Sequence, residues 1–345
     1  MDSYTIGIDL GGTNLRIAAY AARAALDAAS NQQFLARVDL PTRVDAGPAS
    51  VVKEMAEAIR GLADSLPNMA LSGVGLGTPG PLELPAGILH GLPNFPGWDR
   101  FELRKELEAA LAGAGVSCPV YVESDANVAA LAECVLGAGS TYGADSLCML
   151  TLGTGVGNAI ILNGAIFSGA HGMAGEAGHL TIWPDGLVCN CGNSGCLEVY
   201  ASATAVRRMA EDAADSGFAP GLKSWRESTG PLGAQAVFQL AAGGDRDALR
   251  IFNTTGIALG IALASLVNTL DLRLYVVGGG LAGAWEFFSP AMFRELTARS
   301  YVYRLVNERL PGRRIEIVSA VLGSDSGLLG AALLALGTHS RGTGI

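Results

Sequence analysis

Apolar and polar positions alternate at the start of the chain, and Tyr4 to Asp9 is predicted as a strand. The turn "GGTN" follows, then a second apolar run from Leu15 to Tyr20. Two apolar runs joined by a glycine turn predict a hairpin. A strand-then-helix unit fits less well, because loop-like, alanine-rich sequence follows Tyr20. Val51, Met55, Ile59 and Leu62 recur at helical spacing and predict a helix over 51–66, before a strand at Leu71 to Gly77 that ends in "GTPGP". Asp99 and Glu102 have the spacing of a capping box, with Leu103 and Leu107 as the apolar stripe of the helix behind it. Val120 to Glu123 reads as a strand, and Asp125 opens a helix to about Leu136.

The second half begins in the same way. Leu147 to Leu152 is predicted as a strand, "GTGVG" as a turn, and Asn158 to Leu162 as another strand. Strand, glycine turn and strand therefore occur twice, which reads as an internal duplication of one α/β unit. Thr254 to Leu270 is the most apolar stretch, at the short limit of a membrane span; interrupted by Gly256 and Gly260, it reads better as a buried helix. A strand at Leu274 to Val277, the run "GGG", a strand at Ile315 to Val318 and an apolar helix from about Ser326 to Leu336 complete the pattern. Asp215 to Gly233 is polar and rich in glycine and proline, and reads as a surface loop.

The length of 345 residues allows two domains, and half of them are hydrophobic, enough for a sizeable core. A net charge of −9 with no basic stripe argues against nucleic acid and anionic membranes as partners. It also means that a polyphosphate ligand would need a cation such as Mg²⁺. The apolar start, without a charged leader, predicts no signal peptide. Six cysteines in a chain this long are no disulfide framework, and Cys118, Cys134 and Cys148 read as reduced core residues. The expected compartment is the cytoplasm.

Chemistry concentrates in "GEAGHLTIWPDGLVCNCGNSGCLE", from Gly175 to Glu198. His179, Cys189, Cys191 and Cys196 form a favoured structural zinc set, with Glu176 and Glu198 beside it. Three cysteines within eight residues, with Gly192 and Gly195 turning the backbone, are hard to explain as core packing; free thiols are the alternative. The turn at Asp9, Gly11, Gly12, Thr13 and Asn14 offers backbone amides to phosphate oxygens, with Asp9 able to hold Mg²⁺ through water. A plain tight hairpin explains it equally well, but its recurrence at Gly153, Thr154 and Gly155 favours phosphate. Gly278, Gly279 and Gly280 allow a flat group to lie against the backbone, or simply open a helix. Asp125, at a strand end and helix start, reads either as a helix cap or as a base for a substrate hydroxyl. Asn94 and Trp98 lie in a proline-rich loop; the first can bond vicinal hydroxyls, and the second can stack or fill the core.

Together these segments resemble the ROK family of sugar kinases and sugar-responsive repressors, from Gly7 to about Gly337. The most specific parts are "GTGVGNAIILNGAIFSGAHGMAGEAGHL" and "CNCGNSGCLE"; "GIDLGGTN", "GTGVG" and "VVGGG" look like the family's two phosphate motifs and its adenosine turn. The resemblance implies an α/β, actin/hexokinase-like (ribonuclease H-like) two-domain ATPase fold with a cleft between the domains. It places residues 1–122 plus about 331–345 in a small N-terminal domain and 123–330 in a large domain carrying the zinc motif. It implies that Asp125 is the catalytic base, that Glu176, His179 and Glu198 bond the sugar ring, and that His179 also ligates zinc with the three cysteines. Asn94 would reach the sugar from the small domain. Ser124 stands where the family usually has an Asn that contacts a sugar hydroxyl, leaving room for water or a changed preference among sugars.

The implied activity is ATP-dependent phosphorylation of a hexose 6-hydroxyl, glucose first, with Mg²⁺ accompanying ATP and zinc in a structural role. N-acetylmannosamine, N-acetylglucosamine or fructose would use the same residues, and inorganic polyphosphate is an alternative donor. From a different class, a non-catalytic sugar sensor remains, against which Asp125 and both glycine turns argue. The apolar strand at residue 4 leaves no room for the DNA-binding segment that repressor members carry before it. The family also implies a homodimer.

Overall fold

The computed structural model describes residues 2–22, 33–91 and 95–337. Its contacts group the chain into two units: Met1–Cys148, Ala159–Gly175 and Val321–Ile345 form the first, and Met149–Asn158 and Glu176–Ala320 the second. The boundary expected between 122 and 123 falls inside the first unit.

The first sheet contains β1 (Ser3–Leu10), β2 (Asn14–Ala21), β3 (Ala36–Pro41), β4 (Ala70–Thr78) and β8 (Val120–Ser124), in the order β3-β2-β1-β4-β8. β1 and β2 form the expected antiparallel hairpin, while β4 and β8 run parallel to β1 and to each other. β5 (Leu82–Glu83), β6 (Ile88–Leu89) and β7 (Phe101–Glu102) make a separate small sheet. Helices α1 (Pro48–Ser65) and α2 (Leu103–Gly113) bury the apolar stripes read from the sequence, including Met55, Ile59, Leu103 and Leu107. Next come α3 (Asp125–Val135) and α4 (Ala138–Tyr142).

The second sheet contains β9 (Leu147–Leu152), β10 (Val156–Leu162), β11 (Ala165–Ile166), β12 (Leu274–Gly278) and β13 (Glu316–Ser319), in the order β11-β10-β9-β12-β13. In both sheets the first three strands run in reverse order to the centre, and the fourth and fifth follow. The repeated strand-turn-strand pattern thus corresponds to a repeated sheet order. Helices α5 (Glu198–Ala201), α6 (Ala203–Asp215), α7 (Pro220–Ser228), α8 (Ala234–Ala242), α9 (Arg246–Leu270), α10 (Trp285–Arg299) and α11 (Tyr301–Arg304) belong to the second unit. α12 (Ser326–Ala335) returns to the first, where Gly75 of β4 leaves no space for a side chain beneath the Ala331 carbonyl.

Three expectations are corrected. The stretch 215–233 is not a loop throughout: Pro220 starts α7, whose Leu222 is fully buried, and Arg226 pairs with Glu211 and Asp215 of α6. Asp99 does not cap a helix, because Phe101 and Glu102 pair with β6 first and α2 begins at Leu103 without a side-chain cap. The buried helix is longer than its apolar core. It starts at Arg246, where Asp245 accepts the Asp247 and Ala248 amides at 3.0 and 2.9 Å. α9 is long and apolar enough to span a membrane, yet most of its apolar window is buried within the protein. Trp98 fills the core, fully buried between Phe95 and Phe101.

Candidate active site

In the first unit, parallel register carries the candidate acids to one edge. Asp9 pairs with Gly77, and Gly77 pairs with Glu123. The carboxyl ends of β1, β4 and β8 therefore lie side by side, the edge at which parallel α/β sheets bind ligands. At about 4.8 Å per strand spacing, Asp9 and Glu123 stand about 10 Å apart. Beyond Glu123 the chain turns into α3 with Ser124 and Asp125.

Asp125 is not the helix cap. Ser124 holds that position, without a side-chain capping bond, and Asp125 is the first helical residue. Its Oδ1 accepts the Ala126 amide at 2.7 Å and lies 3.5 Å from the Ser124 hydroxyl. The residue is exposed. Beneath it, Glu123 is only 3% exposed. Its Oε1 accepts the Ser124 amide at 2.9 Å and the Asn127 side-chain amide at 3.0 Å, bracing the start of the helix. Sequence reading missed this role, although a carboxylate inside an apolar strand was its signal.

The first glycine turn closes with the Gly11 amide donating to Asn14 O at 2.9 Å. Thr42 braces it: its hydroxyl donates to Gly11 O at 2.7 Å and its amide to Thr13 O at 2.9 Å. Gly12, Thr13 and Asn14 are exposed. Asp9 is ion-paired with Arg16, its cross-strand neighbour, which also donates to Ser324 O at 2.7 Å. Burial pushes the Asp9 carboxyl above the usual range, and Arg16 pulls it back. Gly327, in the first turn of α12, faces Asp9; a Cβ there would lie 3.2 Å from the carboxylate carbon. Neither Arg16 nor Thr42 was singled out from sequence. Asn94 lies outside the described residues.

In the second unit the other two glycine runs meet. Gly153 donates to Gly155 O at 2.9 Å, and Thr154 is exposed. β12 neighbours β9, so Gly278, Gly279 and Gly280 arrive beside the end of β9, where a Cβ on Gly279 would crowd the Leu152 backbone at 2.5 Å. The positive φ of Gly279, 85°, is a further reason for glycine there.

The cysteine cluster forms as expected. The ligand atoms of His179, Cys189, Cys191 and Cys196 all lie within 4.8 Å of one another. The Cys191 and Cys196 sulfurs are 3.7 Å apart, and Nδ1 of His179 lies 3.7 Å from the Cys189 sulfur. Thiolates about 2.3 Å from a tetrahedral zinc stand about 3.8 Å apart, so the donor set fits that ion. Burial pushes the Cys196 thiol up, to about 12, and a cation would offset the cost of its thiolate. Gly192 and Gly195, with φ of 92° and 73°, turn the backbone around the cluster.

His179 presents Nε2 to Glu176, 3.9 Å from Oε2. Burial raises the Glu176 pKa, His179 opposes that shift, and Glu198 adds to it. Glu198 opens α5 two residues after Cys196, and its Oε2 accepts the Val156 amide at 2.9 Å. The structure thus groups Glu176, His179, Glu198 and the second glycine turn in one unit, and Asp9, the first glycine turn, Ser124 and Asp125 in the other.

Two related five-stranded sheets with glycine turns at their edges define an actin/hexokinase-like sugar-kinase fold. The ROK family model matches residues 5–338, and the chain belongs to the ROK family. A glucokinase of Halalkalibacterium halodurans is 34% identical over 336 residues, covering 96% of this chain and 95% of that protein. The crystal structure of a ROK hexokinase from Thermus thermophilus is 33% identical with a TM-score of 0.72, covering 96% of this chain and 97% of that one. A ROK family glucokinase from Streptomyces griseus, solved with glucose and AMPPNP, is 28% identical with a TM-score of 0.73 over 96% of this chain and 99% of that one.

Proposed function

We propose that the protein is an ATP-dependent hexose kinase that phosphorylates glucose at its 6-hydroxyl. The observation that carries this reading is the register Asp9–Gly77–Glu123, which puts the first glycine turn and the exposed Asp125 on one sheet edge. The likeness to glucokinases across nearly the whole chain supports the substrate.

Asp125 takes the proton of the 6-hydroxyl as that oxygen attacks the γ-phosphoryl group. General-base help of this kind is worth about 10²–10⁴ in rate. Glu123 holds the helix start that aims it. Glu176, His179 and Glu198 bond the sugar hydroxyls, and Asn94 adds a contact. The backbone amides of Gly12 to Asn14 and of Thr154 and Gly155 hold phosphate oxygens, in turns closed by the Gly11 and Gly153 amides, and Gly278 to Gly280 leave a flat surface for the adenosine. Asp9 would hold the Mg²⁺ that accompanies ATP, and that ion would supply charge neutralisation on the phosphates. His179, Cys189, Cys191 and Cys196 would hold a zinc ion that fixes the fold of the segment; with four protein ligands it would have a structural role.

A coupled assay with glucose, mannose, fructose, N-acetylmannosamine and N-acetylglucosamine, each with ATP and with polyphosphate, tests the proposal. Highest kcat/KM for glucose with ATP is expected. Absence of phosphorylated sugar with every hexose and both donors would leave only the sensor reading.

A further inference from the structure

Glu198 touches more than a sugar site. Its Oε2 accepts the amide of Val156, the residue directly after Gly155, at 2.9 Å. The approach is close enough that a Cβ on Gly155 would collide with the same oxygen. Two further contacts hold the same turn. The Ala203 amide donates to Gly153 O at 2.8 Å, just past the end of α5. From the other arm of the cysteine segment, Gly178 lies against Val156 O, and a Cβ there would clash with it.

α5 is itself anchored at both ends. Cys196 lies two residues before Glu198, and the buried Thr255 hydroxyl of α9 donates to Tyr200 O at 3.2 Å. The carboxylate is therefore a short rigid strut between the cysteine cluster and the glycine turn. Its length matters: a side chain one methylene shorter would not reach the amide, and a neutral isostere of the same length would.

We infer that Glu198 is a positioning residue for the nucleotide, setting the Gly153–Gly155 turn for phosphate through its bond to the Val156 amide, in addition to any contact with sugar. This rests on the reading of that turn as a phosphate site. Nucleotide affinity in the absence of sugar should then depend on Glu198. A residue that served sugar alone would leave it untouched.

The test is titration of the zinc-loaded full chain with a non-hydrolysable ATP analogue and Mg²⁺, without sugar, in wild type and in Glu198→Ala, Glu198→Asp and Glu198→Gln. Zinc content and thermal unfolding are checked for each variant. Loss of the hydrogen bond to the Val156 amide predicts about tenfold weaker nucleotide binding for Ala and Asp, and Gln, which keeps an acceptor at the right reach, should stay within about twofold of wild type. Val156 amide exchange should rise in Ala and Asp and not in Gln. The inference is overturned if a folded, zinc-loaded Glu198→Asp or Glu198→Ala binds nucleotide as wild type does. Should Ala fail to fold, the Asp and Gln pair decides alone. Wild-type protein that binds no nucleotide would overturn the kinase reading itself, and this role with it.

Discussion

Nδ1 of His179 faces the Cys189 sulfur at 3.7 Å, while Nε2 of the same ring faces Glu176. One nitrogen belongs to the candidate metal set and the other faces a carboxylate, so an ion bound by the set would fix which way the ring points. Metal analysis of purified protein should find one zinc per chain, with the four ligands of the cluster accounting for it. Cys191→Ser should lose that zinc and bind glucose about 10–100-fold more weakly, as expected when the support of a ligating histidine is removed. Full sugar affinity in zinc-free protein would show that the cluster is not what orders Glu176, His179 and Glu198.

Burial raises the pKa of Asp9, with Arg16 only partly offsetting it. The folded chain therefore holds this proton more tightly than the unfolded chain does. The contribution to stability is fully present below the unfolded pKa and is lost as pH rises through the folded value. Unfolding midpoints of wild type and Asp9→Asn, compared from pH 8 down to about pH 4, should shift in favour of wild type on acidification. In the same variant ATP turnover at neutral pH should fall by orders of magnitude. A midpoint difference that does not change with pH would contradict the assignment of the shift.

Gly77 lies between the two acids in the sheet register, and a Cβ there would sit 2.6 Å from Cγ2 of Val128 and 3.6 Å from Cα of Asp125. Gly77→Ala must displace the Val128 side chain, in the first turn of α3. Overpacking of this kind costs about 1–3 kcal/mol, and kcat should fall with it. An alanine variant with unchanged kcat would show that the placement of Asp125 tolerates movement.

The strong periodic elements were legible in the sequence, because their apolar stripes are the buried ones: Met55 and Ile59 of α1, Leu103 and Leu107 of α2. The glycine turns and the cysteine cluster were legible for a different reason, since few backbones need those residues at that spacing. What escaped depends on partners that only strand pairing brings together. Arg16 matters because β1 and β2 pair it with Asp9, and Thr42 because β3 ends beside the first turn. Helix α7 was hidden by its proline, which starts it rather than ending it. The strand at Phe101 and Glu102 overrode a capping pattern because β6 offered it backbone partners.

Ser124 occupies the end of β8 with its hydroxyl 3.5 Å from Asp125, at a position where the family resemblance implies Asn. Ser124→Asn should alter the ratio of kcat/KM between glucose and N-acetylmannosamine by about fivefold, the worth of one hydrogen bond. Identical sugar profiles for the two proteins would remove this residue from sugar recognition.

Asp125→Asn tests the account most directly. The substitution keeps the size and position of the side chain and removes the base. Glucose affinity, measured by direct titration, should stay within a few-fold of wild type, while kcat with saturating glucose and ATP drops by about 10²–10⁴. Near-normal turnover in this variant would contradict the account.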